Sequence, residues 1–270
     1  MQYTATSQEI FETFCISKNH KKHLKIDENN KTIYFNYPEK EVEINYEPVN
    51  ILYEDAFLIA AFKPPFLLVH DDGNSQDTLQ ARINGYLQLN GNKYPAQAIH
   101  RIDYETSGLV LFCKHPFFQA YCDKNMEEHH IKKDYIALVQ GHTNYKNKKI
   151  VSNIARDRHN AKKMFIHPNG KESISIFNTL KNYKDYSLIQ VTILTGRKHQ
   201  IRVQCASLKH PILNDSLYGG KRIDNTGLLL QSHHIQFNDI DVICQSHKLF
   251  CHRIIHKGKI DHYKKWEYKK

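Results

Sequence analysis

Short apolar runs bounded by polar or turn-forming residues recur along this chain, and they constrain its fold more than any other feature. Runs such as SGLVLF at 107–112 and DYIALV at 134–139 have the length of buried strands. Other segments carry apolar residues at helical spacing, and one of these follows the candidate N-cap Asp77. We therefore predict mixed α and β structure, with strands at 107–112, 134–139, 186–194 and 228–237, two more on either side of Glu54-Asp55, and helices at 77–89, 116–130 and 197–208.

The first 48 residues differ in character from the rest. They are polar and charged, and the turn-prone run 27–31 separates two pieces of alternating apolar pattern. The basic middle section, from about 153 to 180, reads as a surface hairpin that turns at Pro168-Asn169-Gly170. No internal repeat or low-complexity linker divides the remainder. We predict a small N-terminal extension at 1–48, a hairpin or partial module, and one larger domain at 49–270.

Cysteine content and hydrophobicity limit the cellular compartments in which such a chain is expected. Six cysteines are scattered without a C-x-x-C pair, which fits neither a disulfide framework nor a zinc ribbon. No run approaches the roughly 18 apolar residues that span a bilayer, and the N-terminus lacks a basic region followed by an apolar one. We expect a cytoplasmic protein that is neither exported nor membrane-embedded.

The net charge favours a polyanionic partner. With 38 Lys and Arg against 28 Asp and Glu, the formal charge is +10, which would attract RNA or DNA. A lysine-rich composition gives the same excess without any nucleic-acid partner, so charge alone leaves both readings open.

Asp103 is the first candidate for chemistry. It precedes a Thr-Ser-Gly turn that enters the strand at 107–112, so its carboxylate is expected on a loop at a strand mouth. An aspartate in this context also caps turns, here through Thr106 or Ser107, and the segment by itself does not distinguish the two roles.

A second candidate segment surrounds Arg202. The run GRKHQIR at 196–202 places cations around a glycine turn and a helix start, a setting that suits phosphate. A solvated basic face is the alternative, but the apolar residues that follow make full exposure unfavourable. Arg202 lies among them, and a buried arginine needs an anionic partner.

Several ordered motifs together resemble one family. HRIDYETSGLVLF resembles the HRLD-x-x-TSGLLLF signature of the RluA/RluD-type pseudouridine synthases, and KKDYIALVQG resembles their K-x-Y-x-A-x-V-x-G strand. LTGRKHQIRV is similar to TGR-x-HQIRVH, and HPILNDSLYGG to HPI-x-GD-x-x-YG. The likeness runs from about residue 51 to 237, and four motifs in the family's order make chance agreement a poor explanation.

The resemblance implies an α+β fold, with helices flanking a curved, mainly antiparallel central sheet and a cleft for RNA. It implies an enzyme, an isomerase that converts specific uridines of rRNA or tRNA to pseudouridine without metal or cofactor. The catalytic residues would be Asp103, Tyr135 and Arg202, with Arg202 pairing with the aspartate and keeping it charged. Residues expected at the substrate and RNA surface are Arg101, which would help to flip the base, Arg197, Lys198, His199, Gln200 and Ile201.

The sequence departs from the family pattern at a few positions. Phe66 and Asn214 stand where the family usually has glycine, and Gln204 where it commonly has histidine. The basic ending after residue 255 also lacks the usual proline-containing form. Because Phe66 replaces a glycine, we do not assume that the loop around it keeps the family's conformation.

Two other function classes compete with the enzyme reading. One is a non-catalytic RNA-binding or ribosome-assembly factor that keeps the fold, although binding alone does not require the set of Asp103, Tyr135 and Arg202. The other is a metal-dependent hydrolase built on His100, His129-His130 or His233-His234, none of which has convincing ligand spacing. We expect a monomer with RNA as its partner and no metal.

Overall fold

One large sheet organises the chain. The computed structural model describes residues 7–29, 32–38, 41–73, 75 and 77–244. The strands are β1 Leu24–Asp27, β2 Thr32–Phe35, β3 Asn50–Glu54, β4 Leu58–Lys63, β5 Gln97–Ala98, β6 Ser107–Cys113, β7 Lys132–Gln140, β8 Lys148–Arg156, β9 Met164–Ile166, β10 Lys171–Asn182, β11 Tyr186–Ile193, β12 Leu230–Phe237 and β13 Ile240–Ile243. The helices are α1 Ser7–Thr13, α2 Lys18–Lys21, α3 Leu79–Leu89, α4 Pro116–Glu127 and α5 Gln200–Ser207, with a 3-10 turn at Ser216–Tyr218.

The eleven strands of the large sheet follow the order β3-β4-β6-β12-β7-β11-β10-β8-β9, with β5 beside β6 and β13 beside β12. All of the pairings are antiparallel except that between β6 and β12. Mixed α and β structure around a mainly antiparallel sheet is therefore confirmed.

The strand β6 is buried on both faces, which explains its unbroken apolar sequence. Val110 and Phe112 join a cluster that includes Ile83 of α3, while Leu109 and Leu111 join a second cluster with Cys122 of α4. Successive side chains of a strand point to opposite faces, so the two helices cover opposite sides of the sheet. The strand β11, which lies between β7 and β10, shows the alternative pattern, with buried and half-buried residues in strict alternation.

The parallel contact between β6 and β12 depends on a glycine. Gly108 lies opposite Ser232 and has a φ of 116°, a region that L side chains rarely adopt. A Cβ on Gly108 would stand 2.1 Å from the carbonyl oxygen of Ser232. Only glycine lets the backbones of β6 and β12 approach this closely. Gly108 lies at the start of β6, directly after the loop between β5 and β6 that contains Asp103.

The N-terminal segment packs onto the rest of the chain through an aromatic and aliphatic cluster. Ile10, Ile16, Ile33 and Tyr37 are buried together with Phe117 of α4. The strands β1 and β2 form the predicted hairpin, but α1 and α2 were not predicted. The division at residue 48 stays a prediction.

Four details of the sequence-based prediction are wrong. The N-cap of α3 is Thr78, whose hydroxyl accepts from the Ala81 N–H, whereas Asp77 pairs with Arg82. The helix α4 ends at Glu127 rather than 130, and α5 starts at Gln200 rather than 197.

The fourth error concerns the turn at 168–170, which does not close a hairpin. The strand β8 lies between β9 and β10, so the turn carries the chain from one side of β8 to the other. A Cβ on Gly170 would lie 2.6 Å from the carbonyl carbon of Ile154, and glycine permits the crossing.

Within the described residues, no helix combines the length and the apolar character that crossing a membrane requires. The basic ending noted in the sequence lies outside the described residues.

Candidate active site

Asp103 lies in the loop between β5 and β6, and its carboxylate faces two side chains from the start of α5. Arg202 Nη1 is 3.4 Å from its Oδ2, and His199 Nε2 is 3.9 Å from the same oxygen. The turn after Asp103 is closed by the backbone, because the Thr106 N–H donates to the Asp103 carbonyl oxygen at 3.0 Å. The carboxylate is 24% exposed, so it is held against α5 yet open to a substrate.

Arg202 has a closer partner than Asp103. Its Nε and Nη2 donate to the two carboxylate oxygens of Asp215 at 2.8 and 2.9 Å, a bidentate pair with both side chains buried. Glu105 contributes a third carboxylate at 3.6 Å. The expected pairing of Arg202 with Asp103 is therefore present, but it is the weaker of the two contacts. The buried anionic partner expected for Arg202 is Asp215, which the sequence analysis did not identify.

The electrostatics of Arg202 follow from these contacts. Burial lowers the pKa of the guanidinium, but the hydrogen bonds and charge of Asp215, with Asp103 and Glu105, outweigh that effect and raise the pKa above its usual value. Arg202 is therefore a fixed positive charge behind the Asp103 carboxylate.

His199 is held as a neutral imidazole. Burial lowers its pKa to about 4, although the Asp103 charge opposes the shift. Its Nδ1 lies 2.9 Å from the Tyr218 hydroxyl oxygen, which itself accepts from the Met164 N–H at 2.8 Å. Because that hydroxyl can then donate to Nδ1, we assign the imidazole proton to Nε2, the atom that faces Asp103.

Tyr218 connects several parts of the site. Its ring lies 5.2 Å from the Arg202 guanidinium carbon, a cation–π contact, and its hydroxyl bridges β9 to His199. The sequence analysis missed it as a site residue, although it belongs to the matched motif HPILNDSLYGG.

Tyr135 lies in the middle of β7, between Val191 of β11 and Ser232 of β12. The residue is 6% exposed. Burial, and then the charge of Asp103, raise its pKa, so the hydroxyl keeps its proton at neutral pH. This position provides an aromatic wall near the carboxylate.

Lys63 is a second residue that the sequence analysis did not assign to the site. It is fully buried, and its ammonium donates to the carbonyl oxygens of Pro64, Leu67 and Tyr104 at 2.7–3.0 Å. Burial lowers its pKa to about 7, and the Asp103 charge works in the opposite direction. By holding the carbonyl of Tyr104, Lys63 fixes the residue that follows Asp103.

The two departures from glycine keep a glycine-like backbone. Phe66 has a φ of 64° and Asn214 a φ of 68°. Asparagine tolerates this left-handed region, and its side chain here bonds Asp224 and the Gly227 carbonyl. For Phe66 the same conformation costs about 1–2 kcal/mol. The loop at Phe66 is therefore strained in this chain.

The remaining predicted residues separate into two groups. Arg101, Arg197 and Lys198 are exposed; Arg101 lies 3.4 Å from His70 Nε2, and Arg197 donates to the Glu172 carbonyl oxygen at 2.8 Å. These three remain available to RNA.

Gln200 and Ile201 are buried instead. The amide of Gln200 donates to the Ile174 carbonyl and the Ser175 hydroxyl, and it accepts from Thr195 and from the Arg197 N–H. With all four positions used, Gln200 organises the loop before α5 rather than offering a free group to RNA. Ile201 packs in the main hydrophobic cluster.

The histidines considered as metal ligands have other partners. His100 Nε2 accepts from the Leu111 N–H at 3.1 Å, and burial lowers the pKa of His100 to about 3. His234 lies between Asp134 and Asp241. In the part of the chain that the structure describes, no three His, Cys, Asp or Glu side chains gather as a metal site would require.

The sequence of this chain is similar to those of known RNA pseudouridine synthases. A family model described as RNA pseudouridylate synthase matches residues 58–207. The uncharacterized RNA pseudouridine synthase YhcT of Bacillus subtilis is 35% identical over 178 residues, which cover 65% of this chain and 59% of that protein. Ribosomal large subunit pseudouridine synthase D of Borreliella burgdorferi is 32% identical over 214 residues, or 75% of this chain and 64% of its own.

Solved structures support the same fold. Human RNA pseudouridylate synthase domain containing 4 aligns with a TM-score of 0.63 at 20% identity, over 77% of this chain and 92% of that one. Human RNA pseudouridylate synthase domain containing 1 gives 0.62 at 22% identity, over 74% and 84% of the two chains. At this identity the likeness concerns the fold alone.

The family match covers the loop of Asp103, the strand of Tyr135 and the helix of Arg202. This chain spans about three fifths of the length of the curated relatives that it matches. The chain therefore belongs to the RNA pseudouridylate synthase family, and the resemblance of its motifs to the RluA/RluD type is confirmed.

Proposed function

We propose that this protein isomerises specific uridines in RNA to pseudouridine, with Asp103 as the catalytic carboxylate. One observation carries the proposal: a partly exposed carboxylate stands at a strand mouth against a buried Arg202–Asp215 pair. A carboxylate that a fixed cation keeps charged, and that is still partly open to solvent, can reach a substrate. The family membership supplies the reaction class.

The reaction rearranges bonds without a net change in atoms. The bond from ribose C1′ to uracil N1 breaks, a bond from C1′ to C5 forms, the C5 proton leaves, and N1 ends with a proton. A carboxylate can serve as a nucleophile, towards ribose or base, or as a stabiliser of developing positive charge on the sugar. Asp103 is placed for either role because Arg202 holds it without covering it.

The neighbouring groups have separable tasks. The largely buried Tyr135 ring forms a wall against which the displaced base can pack, and its hydroxyl, which keeps its proton, can donate a hydrogen bond but does not take up the C5 proton. His199, neutral and protonated on Nε2, orients the Asp103 carboxylate. Arg202 is the pairing cation. These tasks call for neither a metal nor a cofactor, and we expect neither.

We expect the RNA to approach along exposed basic residues near the site. Arg101 is exposed two residues before Asp103 and suits insertion into a stack from which the uridine is flipped. Beyond Tyr218, the β8–β9 hairpin and the turn after it line a cleft of about 590 Å³ with Arg156, Arg158, His159, Phe165 and His167 among its residues. Guanidinium groups and rings in one cleft suit phosphate and base contacts. Arg197 and Lys198 would add phosphate contacts.

Relatives of the chain are named for the ribosomal large subunit, and rRNA is therefore the first substrate to test, with tRNA as the second. We further expect the protein to act as a monomer in the cytoplasm, with residues 1–48 as an extension of the catalytic domain at 49–270.

The test uses the purified full chain and RNA from cells that lack its gene, labelled with tritium at C5 of uridine. Turnover releases the label, because the C5 proton is lost. Asp103→Asn keeps the shape and removes the charge, so it should abolish release while RNA binding survives. Asp185→Asn removes the same charge at an exposed, distant position and serves as the control. Full activity of Asp103→Asn, or no release by the wild type, would contradict the proposal.

The non-catalytic RNA-binding alternative predicts binding without release in the wild type as well. No contact among the residues that the structure describes favours it, and the same assay separates the two.

A further inference from the structure

Phe66 and Tyr104 form an exposed aromatic pair at the rim of the site. Phe66 is 46% exposed and Tyr104 is 49% exposed. Their ring centroids are 5.8 Å apart, and the angle between the ring planes is 66°. A T-shaped pair leaves ring faces free towards solvent. Exposed aromatic surface of this kind, next to a catalytic loop, calls for a partner.

Backbone contacts hold the segments that carry the pair. The Phe66 N–H donates to the Tyr104 carbonyl oxygen at 2.8 Å, and Lys63 donates to the same oxygen at 3.0 Å. Pro64 and Pro65 precede Phe66 and restrict the backbone, and Pro65 packs against Gly227 so closely that a Cβ there would lie 2.6 Å away. The backbone that carries the two rings is therefore held in place without a ligand.

The backbone of Phe66 is strained, which calls for an explanation. A φ of 64° is unfavourable for a large side chain, and glycine would relieve it. A strained residue at a site is a reason to look for a function of its side chain. Here the side chain is a ring that points out of the core, so the core does not explain it.

We propose that Phe66 and Tyr104 form a platform on which an unpaired base of the RNA, next to the target uridine, stacks. The position supports this occupant, since Tyr104 follows Asp103 directly in the chain and Arg101 is exposed on the same loop. Once the uridine leaves its stack, its neighbours lose a stacking partner. An aromatic face at the rim replaces that partner for any base, because every base has a π-face. The inference rests on the proposed function.

The variants can separate the ring from the backbone. Phe66→Gly removes the ring and relieves the strained φ, so it should fold at least as well as the wild type. Tyr104→Ala removes the other ring but keeps the backbone contacts of residue 104, and Tyr104→Phe puts a ring back. Leu89→Ala, which removes exposed apolar surface at the end of α3, is the distant control.

The assay measures tritium release from C5-labelled RNA of cells that lack the gene, and filter binding of the same RNA. Phe66→Gly and Tyr104→Ala should each raise KM and Kd about 10-fold, within the range for loss of one base stack, while kcat stays within about twofold. Tyr104→Phe should restore the affinity that Tyr104→Ala loses, and Leu89→Ala should match the wild type.

Each outcome decides the matter. Unchanged KM and Kd in both ring-removing variants would overturn the platform, as would a fall in kcat at unchanged KM, which would mean that the rings only position Asp103. If the wild type binds RNA but releases no tritium, the proposed function fails while the Kd values still judge the platform. If the wild type does not bind RNA, both fail.

Discussion

Asp215→Asn tests whether the buried pair with Arg202 organises the site. Asparagine keeps the shape of the side chain but loses the charge, and its amide hydrogens oppose the donors of Arg202. Breaking a buried ion pair by removing one partner costs about 3–5 kcal/mol, because a charge is left uncompensated. Asp103 and Glu105 still face Arg202 at 3.4 and 3.6 Å, which places the expected loss near the lower end, about 3 kcal/mol.

The measurement is urea unfolding of the wild type, Asp215→Asn, Arg202→Met and the double variant at one pH. Each single variant leaves one buried charge without its main partner. The double variant removes both charges, so its loss in the free energy of unfolding should be smaller than the sum of the two single losses by about 2 kcal/mol or more. Simple additivity of the two losses would refute the assignment of Asp215 as the principal partner of Arg202.

Two further predictions concern stability. Burial lowers the pKa of His100 to about 3 and that of His199 to about 4 in the folded protein. Below pH 6.5 the unfolded chain therefore takes up protons that the folded chain does not. The free energy of unfolding should fall by about 1.4 kcal/mol per pH unit for each residue, down to about pH 4. Urea unfolding from pH 7 to 5 should show a flatter slope for His100→Gln, and an equal slope would count against a neutral His100. Gly108→Ala should lower the free energy of unfolding by about 3 kcal/mol or more, since its Cβ would meet the Ser232 backbone at 2.1 Å. Gly91→Ala, also at positive φ but in open space, should cost only about 1 kcal/mol, and similar losses for both would contradict the close approach of β6 and β12.

The sequence predicted the strands best where burial alone decides the pattern. The runs at 107–112 and 134–139 correspond to β6 and β7 because a strand covered on both faces must be apolar throughout. The order of strands in the sheet could not be predicted, since β12 joins β6 and β7 from more than ninety residues away. The helices α1 and α2, of seven and four residues, are too short to carry a clear periodicity.

The sequence identified several residues of the site, but it did not predict which of them are in contact. Asp103 and Arg202 were recognisable from motifs, and the structure brings them together at 3.4 Å. The partner Asp215 stands 13 residues after Arg202, and only the fold around the 3-10 turn brings it within 2.8 Å. Lys63 and Tyr218 lie in matched segments too, but their roles depend on carbonyl and hydroxyl partners that a sequence does not reveal.

The burial of β6 on both faces also bears on how such a site can change. The strand anchors one end of the Asp103 loop in two hydrophobic clusters, while Tyr104 at the tip contacts solvent. Side chains at the tip can therefore vary with little effect on the packing of β6, whereas substitutions within β6 disturb the clusters that anchor the loop. The surface at the rim and the position of the Asp103 carboxylate thus depend on different residues.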